Sequence, residues 1–216
     1  RLAERGVAFT NGYTTSAVCT PTRYGIMTGR YNWRSTLKSG VTWGYSEPLI
    51  SSERLTIAGM LKEQNYQTAF VGKWHLGWDW EFKGEKPDLD NPNVRPEVDF
   101  SKPVQNGPED RGFDYSYGIP ASLDMHPYVY VENGQPTTIP ADTTVNYDEK
   151  GFWRKGLTGS DFRHTDVLPH LTDKATEYIQ NHSEKDEPFF LYFALPAPHT
   201  PILPTTEYLG TSNSNL

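Results

Sequence analysis

Cys19 is the only cysteine among 216 residues, so it has no partner within the chain for a disulfide and cannot join a multi-cysteine zinc site. It opens the stretch Cys19-Thr20-Pro21-Thr22-Arg23, continued as Tyr24-Gly25-Ile26-Met27-Thr28-Gly29-Arg30. Pro21 suits a first helical turn and Gly29 closes a helix over about 20–28, which puts Cys19 at or beside an N-cap. Free backbone N–H groups and the positive end of the helix dipole converge there and stabilise an anion. Arg23, one turn on, reaches the same spot. A lone cysteine without such a context is more often a small buried hydrophobe. A cysteine-dependent phosphatase fits poorly, because Pro21 removes a backbone donor from any anion cradle and Arg23 comes too soon to close one.

Two further stretches carry groups that could face developing negative charge. Gly72-Lys73-Trp74-His75-Leu76-Gly77 follows the apolar run 68–71, read as an inner strand that ends at Gly72-Lys73. Lys73 and His75 then emerge at a strand's carboxyl end, and in an extended segment their spacing points both side chains the same way. Taken singly, Lys73 reads as a solvated strand-end lysine and His75 as a ring packed among Trp74, Trp78 and Trp80. The other stretch, Leu195-Pro196-Ala197-Pro198-His199-Thr200-Pro201, follows the strand-like residues 189–194. Its prolines impose an extended path with little freedom and hold His199 in place. Asp124 and His126 precede a predicted strand over 128–131 and read equally well as turn formers and as substrate contacts.

Cys19-x-Pro21-x-Arg23 with Thr28-Gly29-Arg30 resembles the signature of the type I sulfatases, and Gly72-Lys73-Trp74-His75-Leu76-Gly77 is similar to the family's second motif. His199-x-Pro201 and Gly112-Phe113-Asp114-Tyr115-Ser116-Tyr117-Gly118 extend the resemblance over nearly the whole chain. It implies the alkaline-phosphatase-like fold and sulfuric ester hydrolysis. The cysteine of that family is converted by a maturation enzyme to formylglycine, whose hydrate is the nucleophile toward sulfur. The resemblance further implies catalytic roles for Cys19, Arg23, Lys73, His75 and His199, with Lys73 and His199 on the sulfate. A divalent cation, usually calcium, would bind the oxygen made from Cys19. By the same pattern the other metal ligands, paired aspartates and a later Asp with its neighbour, lie before Arg1 and after Leu216. Residues 1–216 thus read as part of an N-terminal catalytic domain, incomplete at both ends. Two other readings stand beside this one: a phosphate or phosphonate monoester hydrolase on the same fold, and a non-catalytic sulfate-binding module with unconverted Cys19.

Hydrophobic residues at 36% and charged residues at 22% describe a globular chain. No apolar run approaches the ~20 residues of a membrane span. A net charge of −7 excludes the basic footprint of a nucleic-acid binder, so an anionic substrate needs a local cationic pocket. A start at Arg1 without methionine or signal peptide reads as a piece of a longer chain, and the expected compartment is the periplasm or the cell exterior. Asn181-His182-Ser183 is a glycosylation sequon, of use only on a eukaryotic secretory route.

The remaining elements must deliver these residues to one place. Residues 1–5 read as a helix end, 7–9 with Tyr13 as a short strand leading to Cys19, 53–64 as a helix capped by Ser51 or Ser52, and 166–181 as an amphipathic helix. Residues 81–111 read as a surface insertion and 151–160 as a loop. The order predicts an α/β sandwich with a central mixed, largely parallel sheet flanked by helices. Trp78, Trp80, Tyr128 and Tyr130 follow strand ends and read as flat rings for a sulfated carbohydrate, with Asp124 or His126 on its hydroxyls.

Overall fold

The apolar run around Phe70 becomes the strand on which the rest is assembled. The computed structural model describes residues 2–89 and 91–211. Arg1 of the predicted first helix and most of the polar end around Ser212–Asn215 lie outside the described residues. In chain order the elements are α1 (Leu2–Arg5), α2 (Cys19–Thr28), α3 (Ile57–Lys62), β1 (Gln67–Lys73), β2 (Tyr115–Ile119), β3 (Val131–Glu132), β4 (Gln135–Pro136), β5 (Asp142–Asn146), β6 (Trp153–Thr158), α4 (Val167–His182) and β7 (Phe189–Ala194).

The main sheet has the order β4-β3-β2-β1-β7. β1 pairs in parallel with β2 and with β7, while β3 and β4 add an antiparallel hairpin at the far edge. This is the mixed, largely parallel sheet predicted. Successive side chains of a strand point to opposite faces, and β1 divides its load that way. Phe70 joins a cluster with Trp74, Trp78, Trp80 and Phe113 on the side of α2 and α3. Val71 joins Tyr117, Tyr128, Tyr130 and Leu171 under α4. The β3–β4 turn is Asn133-Gly134, both at positive φ, as its sequence requires.

Several expectations are corrected. Residues 7–9 and Tyr13 form no strand: Val7, Phe9 and Tyr13 are exposed and no described strand lies beside them to complete a ladder. The helix predicted over 53–64 is shorter, because Thr56 caps it in place of Ser51 or Ser52, its Oγ1 accepting from Gly59 N at 3.0 Å. The strand predicted over 128–131 contributes only Val131 to the sheet. The segment read as a loop over 151–160 contains β6, paired with β5; the β-branched Thr143, Thr144 and Val145 opposite were its signal. The supposed surface insertion is folded into the core through Leu89, Val98, Phe100 and Val104. β7 lies at the sheet edge and is mostly half-buried.

At Gly72 the backbone of β7 leaves no room for a side chain. The glycine's φ is 131°, and a Cβ there would stand 2.2 Å from the Ala194 carbonyl oxygen. We expect Gly72→Ala to cost about 3 kcal/mol through clash and backbone strain, read as a thermal midpoint lower by about 10 °C. An unchanged midpoint would show that the two backbones do not meet there.

Candidate active site

α2 begins at Cys19, as the sequence predicts, with extended Val18 as its N-cap and no side-chain capping bond. Its far end is closed by Gly29 in the left-handed conformation, whose N–H bonds to Gly25 O at 2.9 Å. Cys19 is a free, partly buried thiol. It borders a cavity of about 380 Å³ lined by Arg23, Thr22, Ile26, Tyr192 and Ala194. The Arg23 guanidinium donates to the Lys73 carbonyl, while its buried Nε has no partner. Burial lowers its pKa, opposed by Tyr192 and the Cys19 thiol. Arg23 therefore ties the helix that carries Cys19 to the end of β1.

Lys73 is buried, not solvated. Its Nζ donates to Ser122 Oγ at 2.6 Å. Burial pushes its pKa down to about 8, with Cys19 opposing the shift and Arg23 adding to it. An ammonium so enclosed carries its charge at neutral pH with little water to screen it.

His75 lies past the end of β1 at φ 57°, so the alternation of an extended segment stops before it and the same-side argument from spacing does not hold. Its backbone continues the ladder, Trp74 N to Ile119 O and His75 N to Pro120 O, both 3.0 Å. The ring is fully buried. Nε2 meets Thr42 O at 2.7 Å, and a carbonyl only accepts, so Nε2 carries the proton. Nδ1 is left as an unpaired buried acceptor. Burial, then the charges of Lys73 and Arg23, hold the imidazole well below its ordinary pKa.

His199 comes in from the proline-rich segment after β7. Its Nδ1 lies 2.7 Å from Thr200 O, 3.2 Å from Ser122 Oγ and 3.9 Å from Asp124 Oδ1. The carbonyl again places the proton on Nδ1 and leaves Nε2 without a partner among the described residues. Ser122 thus joins Lys73 to His199, a link missed in the sequence although Ser122 stands in the stretch that drew attention to Asp124. Asp124 is buried and bound through Oδ2 to Arg154 at 2.6 Å.

The structure brings Cys19, Arg23 and Lys73 together and joins Lys73 to His199 and Asp124. His126 is placed differently. It packs against Tyr45, ring centroids 5.5 Å apart, and beneath Gly156, with both nitrogens buried and unpaired. The four aromatics expected to face a sugar, Trp78, Trp80, Tyr128 and Tyr130, are core residues instead, the commoner use of rings that size. Among the described residues no three His, Cys, Asp or Glu side chains are arranged to hold a metal ion. The described residues do not by themselves make a calcium site.

The family model described as Sulfatase matches residues 1–215. An N-acetylgalactosamine-6-O-sulfatase of Bacteroides thetaiotaomicron is 36% identical over 98% of this chain and 45% of its own length. Human arylsulfatase G is 27% identical over 96% of this chain and 37% of its own length. A solved Bacteroides thetaiotaomicron structure, from work on its metabolism of multiple glycosaminoglycans, superposes with a TM-score of 0.75 at 34% identity, covering 97% of this chain and 47% of that one. The chain spans about half the length of these relatives or less. The likeness bears out the alkaline-phosphatase-like sandwich.

His126 and His164 generate a stability prediction. Burial pushes each down to about 4, with Arg95 and Arg154 adding to the shift at His126. His164 is stacked on Trp153 of β6 at 3.9 Å. Both folded values lie below the ordinary 6.5, so the unfolded chain binds more protons between the two pH values. Stability is full above about pH 6.5 and falls as pH drops toward 4. Each site contributes on the order of 3 kcal/mol to that loss. Denaturant unfolding at pH 6.5, 5 and 4 should show a shallower acid loss in His164→Phe than in the parent; identical slopes would contradict a neutral buried imidazole.

Proposed function

The chain belongs to the sulfatase family, and from that premise we propose that the protein hydrolyses an organic sulfate ester, with a sulfated carbohydrate as substrate. The observation that carries this reading is the link from buried Lys73 through Ser122 to His199, beside Cys19 and Arg23. It gathers two fixed cations and a histidine near one reactive position. Such preorganised groups stabilise charge that develops on oxygen, at no reorganisation cost during reaction.

Conversion of Cys19 to formylglycine, when made by a maturation enzyme, supplies an aldehyde hydrate as the nucleophilic oxygen. Its position fits that role: a helix N-terminus, partly exposed, in no disulfide, with Lys73 and Arg23 at hand. Arg23 and Lys73 hold the sulfate oxygens and the charge that grows on them. His75, whose buried Nδ1 is a free acceptor, would assist the hydrate. His199 presents Nε2 to the ester oxygen that departs. Asp124 stands behind His199. His126, shielded on both nitrogens, shapes the wall under β6 and does not reach the sugar in this arrangement. Calcium, the cation usual in the family, would draw only the position 19 oxygen from this chain.

The relative named for N-acetylgalactosamine 6-O-sulfate supports a 6-sulfated hexosamine as the first substrate to try. Residues 1–216 form part of an N-terminal catalytic domain in this reading, and the protein works in a periplasm or outside the cell. Among the described residues no helix is long and apolar enough to cross a membrane.

The test begins with the mass of the peptide containing Cys19, where an aldehyde or its hydrate is expected; an unmodified thiol would leave no nucleophile for this reaction. Sulfate release is then compared for N-acetylgalactosamine 6-sulfate and 4-nitrophenyl sulfate, with phenyl phosphate as control. Phosphate release without sulfate release would overturn the assignment. We expect Cys19→Ala to abolish turnover with little loss of stability. Lys73→Ala and His199→Ala should each lower kcat by about a hundredfold or more. Near-normal kinetics in either variant would remove that residue from the site.

A further inference from the structure

Arg154 lies outside every motif that identifies the site, yet it is built against it. On β6 it sits where the hairpin register slips: Thr144 pairs with Gly156 and Asn146 with Trp153, so Arg154 and Lys155 together oppose Val145 alone. A bulge of this kind re-aims a side chain. The guanidinium is turned toward Asp124, where Nη1 donates to Oδ2 at 2.6 Å and to the backbone oxygen at 3.1 Å. Two rings hold it there, Trp43 at 5.3 Å and Phe152 at 5.4 Å from the guanidinium carbon. Its own carbonyl accepts from the Tyr128 hydroxyl at 2.6 Å. This is a heavily restrained side chain for a residue with no contact to the reactive position.

What it restrains is Asp124. The second oxygen, Oδ1, is buried, makes no hydrogen bond, and lies 3.9 Å from His199 Nδ1. Its negative charge lies on the Nδ1 side of the ring, beside the proton that Thr200 O accepts at 2.7 Å, and favours that ring orientation. We infer that Arg154 is a positioning residue for His199: it locks the Asp124 carboxylate in the orientation that supports Nδ1, so that Nε2 faces the departing ester oxygen with its proton. The inference rests on the sulfate ester hydrolase reading above. In that step the nucleophilic oxygen at position 19 bonds to sulfur as the bond from sulfur to the alcohol oxygen breaks; both electrons of the broken bond go to the alcohol oxygen, which takes the proton that Nε2 has drawn from solvent. Solvent restores the proton afterwards.

A pair that merely fastened the hairpin would affect all substrates alike. A pair that positions a general acid matters most where the departing oxygen is a strong base, because such a leaving group needs the proton in the transition state. The experiment uses phenyl sulfate and 4-nitrophenyl sulfate, alike in shape and different in leaving group, on the intact protein. We expect Arg154→Gln to lower kcat for phenyl sulfate at least tenfold more than for 4-nitrophenyl sulfate, with KM changed little in either. Asp124→Asn should give the same leaving-group dependence. The double variant should lose no more than the worse single one, since both act through one histidine. Arg154→Lys, which keeps a cation against Oδ2, should recover part of the loss. Thermal midpoints verify folding, and if Arg154→Gln does not fold, the lysine variant's two substrates decide.

Equal losses on both aryl esters would reduce Arg154 to a structural tie. A loss confined to the KM of N-acetylgalactosamine 6-sulfate would make it a sugar contact, and either result overturns the positioning role. A parent protein that releases sulfate from none of the three esters removes the sulfatase reading itself, and the inference with it.

Discussion

A buried knot of three side chains, Thr20, Thr42 and His75, is the constraint on which the site depends. Thr20 Oγ1 donates to the His75 carbonyl at 3.0 Å, Thr42 Oγ1 to the same carbonyl at 2.9 Å, and the His75 ring returns a bond to Thr42 O at 2.7 Å. None of these atoms has water to fall back on, so losing one partner leaves the others buried and unsatisfied. The knot fastens the first turn of α2 to the chain leaving β1. It therefore sets where Cys19 lies relative to Lys73. It also explains a histidine at positive φ, since the surrounding bonds over-determine a conformation that a side chain would otherwise avoid.

Around that knot the sheet acts as a rail. β1 carries Lys73 to its carboxyl end, β2 leads on to Ser122 and Asp124, and β7 leads on to His199. All three parallel strands thus end on one side, where ligands of open α/β sheets sit. The contact at Gly72 is part of the same device, because a side chain there would push β7 away and His199 with it. The second hairpin, β5–β6, adds what the rail lacks, a cation behind Asp124. The polar chain from Arg154 through Asp124, His199 and Ser122 to Lys73 crosses from that hairpin to the main sheet.

The identity of the site was legible in the sequence because its residue types are scarce and their spacing is local. A lone cysteine before a proline, an arginine one turn on and a glycine stop specify a helix N-terminus whatever the rest of the chain does. Asn133-Gly134 and the run around Phe70 were legible for the same reason, since turn chemistry and continuous burial act over a few residues. Local pattern failed where partners decide. β6 looked like a loop until β5 was beside it. Residues 7–9 looked like a strand but have no ladder to join among the described residues. Thr56 outcompeted Ser51 and Ser52 as a cap because it also bonds Arg111 O at 2.6 Å, which anchors it across the fold.

By itself, then, the sequence determined the helix start at Cys19, the strand that carries Lys73 and the α/β class, all of them consequences of short-range sterics and hydrophobic period. Tertiary structure alone decided which groups complete the site. Ser122, Thr42 and Arg154 carry no local signature; they matter because burial places them within hydrogen-bond reach of Lys73, His75 and Asp124. The same burial sent Trp78, Trp80, Tyr128 and Tyr130 into the core and closed His126 away. Hydrogen-bond satisfaction in a dry interior is a property of neighbours brought together by folding, and no window along the chain contains it.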